Sequence, residues 1–298
     1  MQEPTAHDID EASETDEQAR FKYFKWSHKF TSEKPYVLLT EVPDGFPIAN
    51  FTNEEGCLEV VKDIRGHEEQ YDLDRHGFAV CTYAEFGSFD FTRIDSDYIP
   101  SVHDILKNEF GPSTEVITFD WRVRSSDNTK TAYDPDAYIN IADPLLYLRP
   151  AESVHVDQST ESAVRRALFH LGEEKAKALL ESRRFRIINV WRPLSTVEDF
   201  PIAFCDGSTC EAADMVAVDS VRSSFVGESW HPMFRKNYRW YYLSEQANSE
   251  VLLLKMHDSQ KDVRARWCPH TSFKLSKARP NARPRESIEV RNLVFTDS

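Results

Sequence analysis

Seven short apolar runs in the second half of the chain have the length and the β-branched and aromatic content of strands. They follow a single helix-like segment, and no helix-length segment separates one run from the next. A doubly wound parallel sheet needs such helices, so this order excludes it. Short strands separated by turns are typical of antiparallel sandwiches and barrels. We predict a mainly β fold with flanking helices and a double-stranded β-helix core of the jelly-roll or cupin-like form. The runs are 185–194, 201–205, 215–221, 238–243, 251–256, 264–273 and 287–295.

Two helices are predicted. The longer one spans 159–183, where Ser159 or Thr160 can cap the N-terminus. Its apolar stripe consists of Val164, Leu168, Leu171 and Leu179. A shorter helix is predicted over 101–110, ended by the Gly-Pro pair that follows it. Earlier strands are predicted at 35–42, 77–83 and 115–124.

The N-terminal segment differs in composition from the rest of the chain. Residues 1–19 hold seven acids and no Lys or Arg, so we predict that residues 1–20 form a disordered acidic tail. No linker or repeat follows, which favours one domain over 21–298. In that domain a β-helix core occupies about 150–298 and the N-terminal portion buttresses it. Residues 125–140 are polar and are predicted to form a mobile loop that could cover a site.

Charge and cysteine content exclude some partners. A formal net charge of −14 argues against general binding of nucleic acid or of anionic membranes. Five scattered cysteines indicate a reduced protein, and no signal-like or membrane-spanning apolar run is evident, so a cytoplasmic location is expected. Residues 261–291 hold nine Lys/Arg against three acids. These cations either bind a small anion or form a solvated rim.

A His-x-Asp triplet is the main chemical signal. In a strand, residues i and i+2 point to the same side, so His155 and Asp157 can hold one metal ion. With His270 they make two imidazoles and one carboxylate, the set that binds Fe(II) and leaves positions open for an organic co-substrate and O₂. The other His-x-acid triplet, His67 with Glu69, lies in a charged stretch that is most simply a solvated turn.

Three other histidines are candidates for the third ligand. His257 is the main rival, at the end of an apolar strand, but no basic residue follows it at suitable range. His231 precedes a proline in a loop, and His170 lies within the predicted helix. His270 is preferred because it stands one strand ahead of an arginine.

That arginine suits a dicarboxylate co-substrate. Arg285 offers a planar fork of donors, and Ser287 lies on the same side of the strand. The two would anchor the far carboxylate of 2-oxoglutarate. Arg283 and Arg279, in the preceding loop, are alternative anchors. If Arg285 has no functional role, the simplest explanation is that it caps an edge of the sheet.

Substrate contacts are predicted at further arginines. Arg192 follows a strand, and Arg122 and Arg124 share a strand face. Arg291 lies on the face of Arg285 by parity. Each of them could pair with an anionic substrate group such as an amino-acid carboxylate. Surface salt bridges are the simpler explanation.

At these residues the chain resembles the fungal hydroxylase/desaturase family of secondary metabolism, to which an accessory chain of cephamycin 7α-methoxylase is similar. The matching stretches are 61–66, 76–78, 189–194, 240–242, 250–255 and 284–291. The resemblance implies a jelly-roll oxygenase that uses Fe(II), 2-oxoglutarate and O₂, with ascorbate as reductant in vitro. It implies hydroxylation, desaturation or ring closure, such as aziridine formation, on small amino acids or amino-acid-derived metabolites.

Carried over by position, His155, Asp157 and His270 match the family's metal ligands. Arg285 with Ser287 matches its co-substrate anchor. The accessory chain motivates an alternative, a non-catalytic subunit of a biosynthetic complex, and a cupin-type metalloenzyme that does not use 2-oxoglutarate is a third. A homo-oligomer is compatible with all three.

Overall fold

The computed structural model describes residues 14–40, 42, 45–85, 87, 90–131 and 145–297. Three α-helices lie in this part of the chain: α1 (Ile99–Phe110), α2 (Thr160–Leu171) and α3 (Glu173–Ser182). The strands in chain order are β1 (Glu17–Ala19), β2 (Lys22–Phe24), β3 (Tyr36–Leu38), β4 (Asn53–Glu55), β5 (Glu59–Asp63), β6 (Phe78–Thr82), β7 (Glu115–Ser125), β8 (Arg184–Pro193), β9 (Ile202–Cys205), β10 (Met215–Val221), β11 (Val226–Pro232), β12 (Trp240–Tyr242), β13 (Glu250–Asp258), β14 (His270–Ser272) and β15 (Glu286–Thr296).

The longest strands form one antiparallel sheet, the major sheet, in the order β6-β13-β8-β15-β7. Its side chains alternate between two faces, as the pleat requires. In β15, Ile288 and Val290 belong to the core cluster that packs under α1, and Leu293 and Phe295 belong to the central core. The face toward the central core is called the inner face here, and the face toward α1 the outer face.

A second layer consists of two shorter sheets, β1-β5-β12-β9-β14 and β11-β10-β3. The segment at His155 and Val156 joins them. His155 exchanges backbone hydrogen bonds with His270 of β14, at 3.2 and 2.9 Å, and Val156 exchanges them with Trp230 of β11, at 2.8 and 2.9 Å. Two curved layers with this pairing confirm the predicted mainly β jelly-roll fold.

The long helix predicted over 159–183 is wrong in its continuity. It breaks at Gly172, whose φ of 77° ends α2 in a conformation that favours glycine. Ser159 caps α2 as predicted, since its side chain accepts a hydrogen bond from the Ser162 backbone N–H. The predicted apolar stripe is correct for Leu168, Leu171 and Leu179, which pack against the central core, and wrong for Val164, which is 37% exposed. The fully buried face of α2 consists of small residues with one arginine: Ser162, Ala163, Arg166 and Ala167.

The predicted strand bounds agree best with the observed ones in the major sheet. The run 264–273 contains only the three-residue β14, and β11 was missed, because its Gly, Glu and Ser make it polar. The helix α1 starts at Ile99, before the predicted Ser101, with Pro100 in its first turn.

The predicted boundary of the disordered tail is also wrong. Residues 17–19 form β1, which pairs with β5, so the last residues of the predicted tail belong to a sheet. Residues 1–13, and most of the loop predicted to cover the site, lie outside the described residues. The single domain over 21–298 stays a prediction. No helix in the described ranges is long and apolar enough to cross a membrane.

Candidate metal centre

The backbone pairing places two imidazoles side by side. His155 and His270 are directly opposite each other in an antiparallel pair, so their side chains share one face. Their ring centroids are 4.5 Å apart. Asp157 lies two residues beyond His155, and its Oδ1 is 3.7 Å from His155 Nε2. One ligand atom from each of the three residues lies within 4.8 Å of the others.

Hydrogen bonds orient both rings for metal binding. The Nδ1 atom of His155 is 2.8 Å from the Ser153 carbonyl, and that of His270 is 3.1 Å from the Cys268 carbonyl. Each Nδ1–H therefore donates to the backbone, and each Nε2 keeps its lone pair toward Asp157. Burial, together with His270, lowers the pKa of His155 to about 3, so its ring is neutral.

The carboxylate of Asp157 is held in a ring of hydrogen bonds with three other side chains, Asn189, Glu289 and Arg291. Asn189 donates to Oδ2 of Asp157 and, at 2.8 Å, to Glu289. Arg291 donates to Oδ1 of Asp157 and to Glu289, both at 3.1 Å. Burial alone would raise the pKa of Asp157, but the Arg291 guanidinium holds it well below its usual range. The carboxylate is thus ionised and fixed in orientation, as a metal ligand requires.

The loop that leads to His270 is hydrogen-bonded to β13 and packs closely against Gly207. The Cys268 backbone N–H donates to the Lys255 carbonyl at 2.7 Å, and the Lys255 ammonium donates to the Ala265 carbonyl at 3.1 Å. At Gly207 the approach is so close that a Cβ would lie 1.9 Å from the Trp267 carbonyl oxygen. Glycine is therefore required at position 207 for the loop to reach its place.

Arg285 lies in a small cavity with both imidazoles. It is 2% exposed, and its Nη1 donates to Ser272 Oγ at 3.2 Å. Its Nε and Nη2 have no hydrogen-bond partner among the described residues. Burial, with Arg124 nearby, lowers its pKa to about 9, so the guanidinium is charged at neutral pH. Ser287, also buried, lies two residues along the chain.

This arrangement fits a metal with a dicarboxylate beside it. An unpaired buried cation is costly, and a carboxylate in the cavity would remove that cost. Two imidazoles and one carboxylate are the donor set expected for a non-haem iron with open positions. The residues present therefore fit both Fe(II) and 2-oxoglutarate.

A second cavity, of about 220 Å³, lies on the other side of His155 and Asp157. The predicted substrate residues Arg122, Arg124 and Arg291 line it. Arg122 and Arg124 of β7 pair with Glu289 and Ser287 of β15, and Arg291 of β15 pairs with Asp120 of β7, which places all three arginines on the face toward the cavity. Two further arginines, Arg166 of α2 and Arg222 of the β10–β11 turn, line it as well. Neither was predicted. A faint signal existed for Arg166, which stands among the small residues of the buried helix face.

Two of the predicted site residues are wrong. Arg192 pairs with Ile288 on the outer face of the major sheet, where its Nε donates to the Asn248 carbonyl at 2.6 Å. The side chain of Arg283 is 60% exposed, and its backbone N–H and guanidinium both contact Glu198. Both predictions failed because position along the chain cannot tell which face of a strand, or which side of a loop, lies inside.

The alternative residues lie apart from the ligand cluster. Arg279 is exposed and pairs with Glu245 at 3.4 Å. The ring of His257 packs on Phe185 in the core, with centroids 5.3 Å apart. His231 is nearer, 6.3 Å from His155 between ring centroids, but its Nε2 bonds to Ser229 Oγ.

A jelly roll that gathers two histidines and an aspartate beside a buried arginine defines the class of non-haem Fe(II)/2-oxoglutarate-dependent oxygenases. Comparison with known proteins agrees with that class. Residues 21–295 match the family model described as "Oxidoreductase/YMDC permease-like domain". Hydroxylase/desaturase efuI of Hormonema carpetanum is 33% identical over 253 residues, covering 79% of this chain and 82% of that protein.

Fe(II)/2-oxoglutarate-dependent dioxygenase nvfI of Aspergillus novofumigatus is 31% identical over 277 residues, covering 89% of this chain and 92% of that protein. A solved structure of the iron and alpha-ketoglutarate-dependent endoperoxidase NvfI superposes with a TM-score of 0.80 at 28% identity, over 96% of this chain and 100% of that one. The chain belongs to this family of fungal hydroxylase/desaturases and Fe(II)/2-oxoglutarate-dependent dioxygenases. The predicted family, enzyme class and cofactors are confirmed, and the catalytic interpretation is favoured over a non-catalytic subunit.

Proposed function

We propose that this protein oxidises an unactivated C–H bond in a small amino acid or an amino-acid-derived secondary metabolite. The product would be hydroxylated, desaturated or closed to a ring such as an aziridine. The observation that carries the proposal is the meeting of His155, Asp157 and His270 beside the unpaired donors of Arg285.

Each residue has a role in this proposal. His155 and His270 would hold Fe(II) through Nε2, and Asp157 through its carboxylate. Arg285 and Ser287 would hold the far carboxylate of 2-oxoglutarate. When bound, iron and 2-oxoglutarate would supply the oxidation: 2-oxoglutarate takes up one oxygen atom of O₂ and leaves as succinate and CO₂, while the substrate loses two electrons and the second oxygen atom enters the product as a hydroxyl or leaves as water.

The protein itself positions the ligand atoms and excludes water from the co-substrate anchor. The Nδ1 bonds and the ring formed by Asn189, Glu289 and Arg291 fix the ligand atoms before anything binds. The burial of Arg285 against Trp191, 5.6 Å from guanidinium to ring centre, keeps water from the anchor. The ligand set fixes which oxidant is available, whereas placement of the substrate decides the product.

The test removes the metal ligands one at a time. Parent protein with Fe(II), ascorbate and a suitable substrate is expected to convert 2-oxoglutarate to succinate. His155→Ala and Asp157→Ala should each lower that turnover by about 100-fold or more, because second-sphere changes alone already cost about 10- to 100-fold. The exposed His67→Ala is the matched control and should turn over like the parent. Full turnover in both ligand variants would disprove the assignment.

The wider biological setting stays a prediction. The net charge of −14 supports small-molecule partners rather than nucleic acid or membrane surfaces. A small substrate and O₂ suit the family. A cytoplasmic location and a homo-oligomeric state are expectations that fractionation and light scattering would check.

A further inference from the structure

The metal ligands separate two cavities that end in different arginines. The cavity of Arg285 and the 220 Å³ cavity share His155 and Arg124. Arg285 lies only in the first, and Arg166 and Arg222 lie only in the second. If 2-oxoglutarate occupies the first cavity, the second is left for the substrate.

The second cavity holds more positive charge than its carboxylates neutralise. Asp120 pairs with Arg122 at 3.0 Å and with Arg291 at 2.9 Å. Of the two carboxylates in the lining, Asp157 is the proposed metal ligand and Glu228 pairs with Lys34. Within the described ranges, neither Arg166 nor Arg222 forms an ion pair with a carboxylate.

Arg166 is held in place by aromatic rings rather than by a carboxylate. Its guanidinium carbon lies 3.9 Å from the ring centre of Phe225 and 5.4 Å from that of Phe119. The residue is 8% exposed, and its Nε has no partner in the described structure. Burial, with Arg222 nearby, lowers its pKa to about 10, so it remains a cation at neutral pH. Cation–π contacts fix the plane of the fork and leave its N–H edge available.

We propose that Arg166 and Arg222 form a carboxylate-recognition site, and that the substrate is a small carboxylic acid whose reacting C–H faces His155 and Asp157. This inference rests on the proposed function and narrows its substrate class. A carboxylate has two oxygens for two guanidinium groups and would offset charges that are otherwise unpaired. A neutral or cationic group there would leave them unpaired. The cavity volume of about 220 Å³ suits a molecule of about the size of an amino acid, since it is below the usual ~300–1,000 Å³ of drug-sized sites.

The experiment has two steps on the full-length protein. In the first, Mn(II) binding is followed by water-proton relaxation in the parent and in Asp157→Ala. In the second, the protein saturated with Mn(II) and 2-oxoglutarate is titrated with isovalerate and with isovaleramide. These two probes differ little in shape, but only isovalerate carries a charge. Broadening of the probe methyl signals by Mn(II) reports binding near the metal.

Isovalerate is expected to show saturable broadening, and isovaleramide none. Arg166→Gln and Arg222→Gln should each weaken isovalerate binding by about 10- to 100-fold, the loss expected for a hydrogen bond to a charged group. Arg166→Lys should recover part of that loss because it keeps the charge. The exposed Arg283→Gln is the matched control. Every variant should bind 2-oxoglutarate as the parent does, which shows that the folded site is intact.

The outcomes separate the two proposals. If Mn(II) binds the parent and Asp157→Ala equally, the proposed function fails. If Asp157→Ala loses Mn(II) as expected, three results overturn only the carboxylate site. These are no binding of isovalerate to the parent, equal binding of the two probes, and unchanged isovalerate binding in both glutamine variants.

Discussion

The two sides of the major sheet both bury charged side chains, but they neutralise them differently. On the outer face, Lys255 and Arg184 face the carboxylates of Asp74 and Asp258; these four residues are called the outer network. The three donors of the Lys255 ammonium reach Asp74 at 2.9 Å, Asp258 at 2.6 Å and the Ala265 carbonyl at 3.1 Å. Arg184 donates to both carboxylates at 2.6–3.0 Å. On the inner side, Arg285 is equally buried and leaves two donors unpaired.

The difference separates a structural network from a binding site. In the outer network Lys255 and Arg184 each pair with both carboxylates, and the buried Arg186 also lies 3.5 Å from Asp258. Every one of these cations has a carboxylate partner without a ligand, so the charges stabilise the fold. An unpaired buried guanidinium costs free energy unless a ligand completes it. Removing a charge should therefore have opposite consequences on the two sides of the sheet.

The largest expected effect is a loss of unfolding free energy when a carboxylate of the outer network is removed. Asp258→Ala leaves Lys255 charged, fully buried and paired only with the half-exposed Asp74. Breaking one partner of a buried pair costs about 3–5 kcal/mol of unfolding free energy. Urea denaturation followed by tryptophan fluorescence would measure it. The control is Glu173→Ala, an exposed acid paired with Lys177, which should cost under about 1 kcal/mol. Equal losses in the two variants would contradict the comparison.

On the inner side, the same kind of change should spare stability and reduce binding. Arg285→Gln removes an unpaired charge, so the free energy of unfolding should stay the same or rise. The affinity for 2-oxoglutarate should fall by about 10- to 100-fold, since hydrogen bonds to charged groups are worth about 1.5–3 kcal/mol. Isothermal titration with Mn(II) present would measure the affinity. Arg283→Gln, two residues away and exposed, should change neither quantity. A clear loss of stability in Arg285→Gln would mean that this arginine is structural.

A smaller effect is expected from the ring that holds Asp157. Asn189→Ala removes the donor shared by Asp157 and Glu289 and should weaken Mn(II) binding by about 10- to 100-fold. Asn292→Ala is a matched control: it is also fully buried, but it donates to the Ile188 and Val290 carbonyls away from the site. Both variants should lose stability, and only Asn189→Ala should lose metal affinity. Equal metal affinities would show that the ring does not orient the ligand.

The sequence identified the inner site better than its surroundings, for a physical reason. His155 and Asp157 are two residues apart in an extended segment, so local geometry alone puts them on one side. His270 was placed by chain order, and the backbone pair with His155 brings it there. Arg285 carried a similar signal through its neighbour Ser287.

The arginines that failed or were missed depend on packing between distant elements. Arg192 and Asn189 lie in the same strand, and only the layer that covers each face decides that Asn189 reaches the metal centre. Arg166 comes from a helix and Arg222 from a turn. Apart from the small residues around Arg166, neither position has a local pattern that indicates a cavity. The fold class was readable because strand spacing is local. The break at Gly172 was not, because one glycine does not by itself end a helix.

Acid should weaken the outer network without changing the charge of Arg285, and this is the smallest expected effect on the free energy of unfolding. Burial raises the pKa of Asp258, but its bonds with Arg184 and Lys255 outweigh burial and hold that pKa below its usual value of 3.8. Because the folded state binds the proton less readily than the unfolded state, the carboxylate stabilises the protein above about pH 4, and this stability is lost as pH falls through the lowered pKa. Unfolding free energies measured from about pH 5 to about pH 3 should therefore fall less steeply in Asp258→Asn than in the parent. Arg285→Gln should keep the parent's slope, since a guanidinium with a pKa of about 9 stays charged throughout this range. A slope that flattens in Arg285→Gln as well would mean that the two sides of the sheet titrate as one network, and the distinction between a completed network and an incomplete binding site would fail.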